Sequence, residues 1–166
     1  MTDPPSRKEI LLARAAVALL IALAVAGLLR YGVSTEELKR VWSNIVARPG
    51  GPMTFRFVLQ PAMAGLAALR DGVAEARLGR APYLSALVSG AGARGGLLWE
   101  GIVSTARILI LGIVMDVIYQ MAFLGEFYPG EAALIAILLA FVPYALLRGP
   151  IGRVARHWVE RPTSGG

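Results

Sequence analysis

The chain has 166 residues, of which 56% are hydrophobic, and a formal net charge of +6, and its mean hydropathy is +0.60. These apolar measures are high for a soluble domain, so we expect a single compact membrane unit. The basic residues flank apolar runs and are not interleaved with aromatic residues, which argues against nucleic-acid binding. The chain has no cysteine and a single histidine, His157, which excludes thiol chemistry and histidine-ligated metal or haem sites built by this chain alone.

The first apolar run covers residues 10–29 and is interrupted once, by Arg14. It is longer than the apolar core of a signal peptide, so it predicts an uncleaved transmembrane helix. Ala18, Ala22 and Ala26 recur every four residues. Such a stripe either lets another helix approach closely or reflects an alanine-rich composition, and the sequence leaves both interpretations open.

Residues 34–48 are predicted to form an amphipathic helix that lies in the membrane interface. Ser34 and Glu37 have the spacing of a capping box, and the Arg-Pro-Gly-Gly-Pro stretch at 48–52 ends the helix. Docking onto a partner protein is the alternative. The apolar stripe follows helical spacing and comprises Leu38, Val41, Trp42, Ile45 and Val46.

The second apolar segment, residues 53–70, is the weakest because it contains Arg56, Gln60 and Pro61. It either spans the membrane or enters and returns. Residues 97–124 form the third run, and residues 132–147 form the fourth, where Pro143 should introduce a kink. Residues 148–166 are predicted to be a basic cytoplasmic tail.

The positive-inside rule sets the expected topology. The turn at 125–131 has no Lys or Arg and is predicted to be external, which places the C-terminus in the cytoplasm. Four spans put both termini inside but leave the basic segment 30–52 outside. Three spans would put Arg7 and Lys8 outside, and we favour four.

Ionisable and amide side chains inside the apolar runs are costly unless they find partners. Matched depth predicts two interhelical pairs, Arg56 with Asp116 and Arg14 with Glu100. The same groups could instead fix helix packing, line an ion or proton path, or meet a charge on another subunit. The candidates are Arg14, Arg56, Gln60, Glu100, Arg107, Asp116 and Gln120.

Several short segments between residues 53 and 156 resemble a family of small, uncharacterised bacterial inner-membrane proteins. The segments are Phe-Arg-Phe-Val-Leu-Gln-Pro at 55–61, Leu-Arg-Asp-Gly at 69–72, Asp-Val-Ile-Tyr-Gln at 116–120, Tyr-Pro-Gly-Glu at 128–131 and Leu-Arg-Gly-Pro at 147–150. No activity is known for this family, so the resemblance implies a bacterial inner-membrane location and transfers no function.

Together these features predict an all-α integral membrane protein with a single domain of about four transmembrane segments and one interfacial helix. We expect a non-catalytic accessory or assembly subunit of a larger bacterial membrane complex, and the alternative is a small homo-oligomeric ion- or proton-coupled channel or transporter. The sequence predicts no catalytic, cofactor-binding or metal-binding residues, and bound lipid is compatible with it. The expected partners are membrane lipids and either other membrane subunits or further copies of this chain.

Overall fold

The computed structural model describes residues 4–81, 83–89 and 94–159, and within these ranges the chain is helical and contains no strand. A 3-10 turn covers Arg48–Gly50, and π-helical turns cover Gln120–Leu124 and Ile137–Phe141. The α-helices in chain order are α1 (Arg7–Tyr31), α2 (Thr35–Ala47), α3 (Arg56–Arg77), α4 (Tyr83–Ser89), α5 (Arg94–Tyr119), α6 (Pro129–Ala136) and α7 (Val142–Val159).

Among the described residues, three continuous helical runs are long and apolar enough to cross a membrane. They are Arg7–Tyr31, Arg94–Leu124 and Pro129–Trp158. The all-helical prediction is confirmed, and these runs contain the first, third and fourth predicted segments. The less apolar α3 is not among them, because charged and amide side chains interrupt its sequence.

Helix α1 begins with a complete capping box that the sequence analysis did not identify. The Ser6 side chain accepts from the Glu9 backbone N–H at 3.3 Å, and the Ser6 N–H donates to the Glu9 carboxylate at 2.9 Å. Farther along, α1 contacts the rest of the bundle through small residues. Ala13 and Ala16 are fully buried, and a Cβ at Gly27 would lie 2.7 Å from the Gly130 backbone nitrogen.

Replacing Gly27 with alanine is therefore expected to separate α1 from α6. The added methyl would meet backbone rather than a movable side chain, so overpacking should cost about 1–3 kcal/mol. Thermal unfolding of the detergent-solubilised protein measures this loss. Gly95→Ala is the matched control, because Gly95 is also helical and a Cβ added there would point into open space. Equal effects at both glycines would contradict the close α1–α6 contact.

Helices α3 and α7 run side by side in the same direction. Gly65 lies against Leu147, and a Cβ at Gly72 would be 3.0 Å from the Arg148 carbonyl oxygen and 3.1 Å from the Gly152 nitrogen. The last turns of α3 therefore lie beside the middle of α7, and Arg56 at the start of α3 lies beside Asp116 near the end of α5.

The C-terminal part of the chain differs from the predicted tail. A π-helical turn lies just before Pro143, whose ring nitrogen has no N–H to donate, and the helix then continues to Val159. Arg148 is 1% exposed, and Gly149 contacts Leu84 of α4. The predicted tail is helical as far as Val159, and two glycines and a buried arginine attach residues 148–159 to α3 and α4. Its cytoplasmic location stays a prediction. Residues 160–166 lie outside the described part of the chain.

Candidate functional site

A buried ion-pair network lies beside the turn that joins α5 to α6. Arg48 bridges two carboxylates, with Nη1 2.9 Å from Asp116 Oδ1 and Nη2 2.8 Å from Glu131 Oε2. Arg56 Nη2 lies 2.7 Å from the same Asp116 oxygen. We call Arg48, Arg56, Asp116, Gln120 and Glu131 the turn-side cluster, and each member is at most 2% exposed.

Gln120 connects this cluster to the turn itself. Its Nε2 donates to Asp116 Oδ2 at 2.6 Å and to the Tyr128 carbonyl at 3.2 Å, while its Oε1 accepts from the Tyr128 N–H at 2.5 Å. The side chain thereby satisfies backbone groups that precede α6 and fixes where α6 begins. The turn-side cluster joins α2, α3, α5 and α6 into one unit.

The polar face of α2 is directed inward, onto this cluster. Arg40 Nη1 and Asn44 Nδ2 each donate to Glu131 Oε1 at 3.0 Å, and the Arg40 guanidinium lies 3.9 Å from the centre of the Tyr128 ring. Ser34 caps the helix as predicted, accepting from the Glu37 N–H at 3.1 Å. The capping box is not completed, because the Glu37 carboxylate binds Arg40 instead.

The apolar face of α2 is directed away from the protein. Leu38, Trp42 and Val46 are 61%, 69% and 58% exposed, and Val41 and Ile45 are half-buried at the edge of the helix. A soluble amphipathic helix normally buries its apolar stripe against the core. The reversed orientation of α2 leaves that stripe available to lipid.

Side-chain atoms of Arg56 in the turn-side cluster and of the neighbouring Gln60 lack hydrogen bonds. The Nη1 and Nη2 atoms of Arg56 make none, although Nη2 is close to Asp116, and both amide atoms of Gln60 are unpartnered. Gln60 lies one helical turn after Arg56 and is 1% exposed. Arg56 is therefore held by charge attraction to Asp116 and by the contact of its guanidinium with the Tyr119 ring, whereas Arg48 is held by directed hydrogen bonds.

A second buried network lies at the opposite end of the bundle. Arg148 Nη2 lies 2.7 Å from Glu75 Oε1 and also binds the Glu100 carboxylate, and its Nη1 donates to the Tyr144 hydroxyl. The Tyr144 hydroxyl in turn donates to Asp71 Oδ2 at 2.8 Å. We call Asp71, Glu75, Glu100, Tyr144 and Arg148 the tail-side cluster. It joins α3, α5 and α7 through a single guanidinium.

Burial changes the acid–base behaviour of the groups outside the apolar spans. It raises the pKa of Glu75 above its ordinary value, and the attraction of Arg148 offsets this only in part. Burial also raises the pKa of Tyr83, again with Arg148 opposing the rise. The Tyr83 ring lies 4.4 Å from the Arg148 guanidinium. A hydrogen bond to Glu126 raises the pKa of Tyr128 in the turn. Glu75 is thus a buried carboxylate whose charged form is disfavoured by desolvation and only partly stabilised by Arg148.

A cavity of about 760 Å³ opens beside the tail-side cluster, between α1, α3 and α5. This volume falls within the roughly 300–1,000 Å³ typical of small-molecule sites. We call it the tail-side cavity. Its charged lining comprises the carboxylates of Glu9, Asp71, Glu75 and Glu100 and the guanidiniums of Arg70, Arg80, Arg107 and Arg148. Within the described ranges, no group of three or more His, Asp or Glu side chains is placed to hold a metal ion.

The structure brings some of the predicted residues together and separates others. Arg56 and Asp116 are paired as their depths predict, and Gln120 joins Asp116. Arg14 and Arg107 are exposed on this chain, because α1 and α5 turn other side chains inward. Whether either one pairs with another subunit stays a prediction. Glu100 is half-buried and binds Arg148, so the Arg14–Glu100 pair does not form.

Several members of the two clusters were not among the predicted residues. Glu131 and Arg148 flank the fourth apolar run and Arg48 ends the amphipathic segment, and charge at such places is ordinarily interpreted as membrane-flanking. The sequence did contain one indication of the tail-side cluster, in the spacing of its residues. Asp71 and Glu75 are four residues apart, as are Tyr144 and Arg148, so each pair shares one helix face.

No family model, curated protein or solved structure matches this chain.

Proposed function

We propose that the chain is an integral membrane protein in which α3 is a fourth span. Arg56 and Glu75 of α3 are buried in ion pairs, while large apolar side chains such as Leu29, Val58 and Leu66 are exposed at 82%, 72% and 68%. This distribution is unfavourable in water and favourable in lipid. The first residue of α3 pairs with the end of α5 and its later residues contact the tail-side cluster, so residues 56–70 extend over the same depth as the apolar spans.

The outward stripe of α2 supports the same arrangement. Its Trp42 and Leu38 would lie at the lipid boundary while its polar face stays on Glu131. With the 125–131 turn external, both termini are cytoplasmic. The resemblance of residues 53–156 to bacterial inner-membrane proteins supports placement in that membrane.

Within the membrane, we propose an accessory or assembly subunit that docks on a larger complex through α1. The observation that carries this proposal is the outer face of α1. Ala18, Ala22 and Ala26 are all exposed there, opposite the buried Ala13 and Ala16. Small residues on a span allow a second helix to approach closely.

Arg14 indicates the chemistry of the partner. It lies one helical turn before Ala18, inside the apolar run, and is exposed. A guanidinium facing lipid is costly unless it reaches the interface or meets an opposite charge. The expected partner is therefore a transmembrane helix that carries a carboxylate near its cytoplasmic end.

The channel or transporter alternative has less support. Asp116 is 0% exposed and is held between two guanidiniums. Arg107 lines the tail-side cavity at the other end of the bundle. These two residues therefore do not line a common path through the chain.

Extraction of the tagged protein from its native membrane in mild detergent, followed by sizing and mass spectrometry, tests the docking proposal. We expect a stoichiometric partner whose yield falls about tenfold in the Ala18→Leu/Ala22→Leu variant, since overpacking of about 1–3 kcal/mol weakens binding by that order. Ala62→Leu is the matched control, because Ala62 is an exposed alanine on α3. A homo-oligomer without a partner, or equal losses in both variants, would contradict the proposal.

A further inference from the structure

The tail-side cavity lies at the depth where the apolar runs of α1 and α3 meet polar sequence. On α1 its lining includes Glu9, the last residue before the first apolar run, and Leu12 within that run. On α3 its lining includes Arg70, which directly follows the apolar residues 62–69. In a membrane this boundary is the depth at which lipid head groups meet the hydrocarbon core.

The walls of the cavity offer apolar surface below that boundary. Helix α1 packs on α5 and α6, while α3 packs mainly on α7, and the cavity fills the space between α1 and α3 against one face of α5. Leu12, Ala74 and Val103 supply apolar surface from these three helices. A molecule with a polar head and apolar chains fits this combination of surfaces.

The four carboxylates that line the cavity are already bound within the protein. Glu9 is held in the capping box at the start of α1. The other three belong to the tail-side cluster, where a hydroxyl and a guanidinium of α7 bind them. The Oε2 atom of Glu75 has no hydrogen-bond partner, but it is buried near Gly152 of α7 and is closed to the cavity. The carboxylates therefore offer little to a cation.

Three guanidiniums in the lining keep free N–H donors. Arg107 and Arg80 are exposed, and neither forms an ion pair with another described residue. The Arg70 side chain is 73% exposed and uses only its Nε atom, 3.2 Å from Asp71. Arg70 and Arg107 both attract the Glu9 carboxylate, so their charges converge on one part of the cavity rim. This rim is suited to an anion.

The chemistry of these donors favours a phosphate. A guanidinium can donate two parallel N–H bonds to phosphate oxygens, and it is less strongly hydrated than an ammonium. Basic pockets between spans on the cytoplasmic side are suited to phosphate head groups. In the topology proposed above, the tail side of the bundle is the cytoplasmic side.

We propose that the tail-side cavity binds an anionic phospholipid whose phosphate lies between the guanidiniums of Arg70 and Arg107. Its acyl chains lie along Leu12 and Val103 and leave between α1 and α3. Arg80 adds a positive charge at the same rim. This inference rests on the proposed membrane integration and is independent of the proposed docking through α1.

Native mass spectrometry of the detergent-purified protein with added lipid tests the proposal. We expect phosphatidylglycerol to bind about tenfold more tightly than phosphatidylcholine with the same acyl chains, because the guanidiniums attract a net negative head group and repel the choline cation. Equal binding of the two lipids would overturn the proposal.

The Arg70→Gln/Arg107→Gln variant identifies the cavity as the binding site. We expect it to weaken phosphatidylglycerol binding about tenfold through loss of charge-assisted contacts, and to remove the preference over phosphatidylcholine. Its unfolding temperature should change little, because both side chains are exposed. Arg77→Gln/Arg153→Gln is the matched control, since it removes the same charge from exposed arginines of α3 and α7 that do not line the cavity. Equal losses in the two variants would show general charge attraction and overturn the proposal.

Glycerol 3-phosphate distinguishes a membrane lipid from a soluble phosphate. It carries the phosphate without acyl chains, so we expect it to compete only weakly with phosphatidylglycerol. Effective competition at equal concentrations would assign the cavity to a soluble ligand and overturn the lipid proposal.

Alkaline carbonate extraction of native membranes separates this inference from the proposed membrane integration. We expect the protein to stay in the membrane pellet. Retention there together with equal binding of the two lipids would contradict the lipid site alone. Release into the supernatant would contradict membrane integration and, with it, the lipid site.

Discussion

Replacing Asp116 with alanine is expected to lower the free energy of unfolding by about 3–5 kcal/mol, the usual cost of removing one partner from a buried ion pair. Asp116 is 0% exposed, and both Arg48 and Arg56 contact its Oδ1 atom, at 2.9 and 2.7 Å. Removing the carboxylate leaves two buried guanidiniums competing for Glu131. It also frees Gln120 Nε2, so the start of α6 should loosen as well.

A double-mutant cycle separates the ion pair from general packing. Arg56→Met alone should cost less than Asp116→Ala, because Asp116 keeps Arg48. The double variant should cost less than the sum of the two single variants, since removing both partners leaves no unpaired charge between α3 and α5. Denaturant titration in detergent micelles gives the three free energies. Additive losses would show that Arg56 and Asp116 are not coupled.

The matched control for this cycle is Glu36→Ala. Glu36 is an exposed carboxylate on α2 that accepts a hydrogen bond from the neighbouring Thr35 hydroxyl at 3.3 Å. We expect a change within about 0.5 kcal/mol, as for most surface substitutions. A loss as large as that of Asp116→Ala would indicate a general sensitivity of the micelle-bound protein to charge.

The sequence was sufficient to predict the apolar helices and one of the buried pairs. Apolar runs reveal spans directly, because crossing hydrocarbon needs about 20 apolar residues. Arg56 and Asp116 could be matched because each lies inside an apolar run, where an isolated charge requires a partner. On neighbouring antiparallel helices, each charged side chain can reach only a partner at the same depth in the membrane, which limits the choice.

The rest of the two clusters depends on information that helical periodicity does not contain. Periodicity identifies the two faces of α2, but not that Arg40 and Asn44 turn inward onto Glu131. Arg48 ends the amphipathic segment and Arg148 follows the fourth apolar run, and at both places a charge requires no buried partner. Only the close approach of α3 to α7 at Gly72 and Gly152 places Arg148 inside the bundle, and that approach is a tertiary contact.

Replacing Arg148 with methionine is expected to be as destabilising as Asp116→Ala, at about 3–5 kcal/mol. The Arg148 side chain is 1% exposed and forms the common contact of Glu75, Glu100 and Tyr144. Arg148→Lys should recover only part of the loss, since one ammonium cannot reproduce the fork that reaches three oxygens at once. Arg153→Met, on the exposed side of α7, is the control and should be near neutral.

The destabilisation by Arg148→Met should depend on pH, because Glu75 can take up a proton when its cation is removed. Burial already raises the pKa of Glu75, and Arg148 is what opposes that rise. In the variant the folded pKa is higher still, so the folded state holds a proton that the unfolded chain releases near its ordinary value of about 4.3. The stability of the variant relative to wild type should therefore be greatest at low pH and fall as pH rises through the raised pKa of Glu75.

Unfolding titrations of both proteins at pH 5 and pH 8 measure this difference, and Glu75→Gln/Arg148→Met should abolish it. A pH dependence that persists in the double variant would assign the proton to another carboxylate of the tail-side cluster.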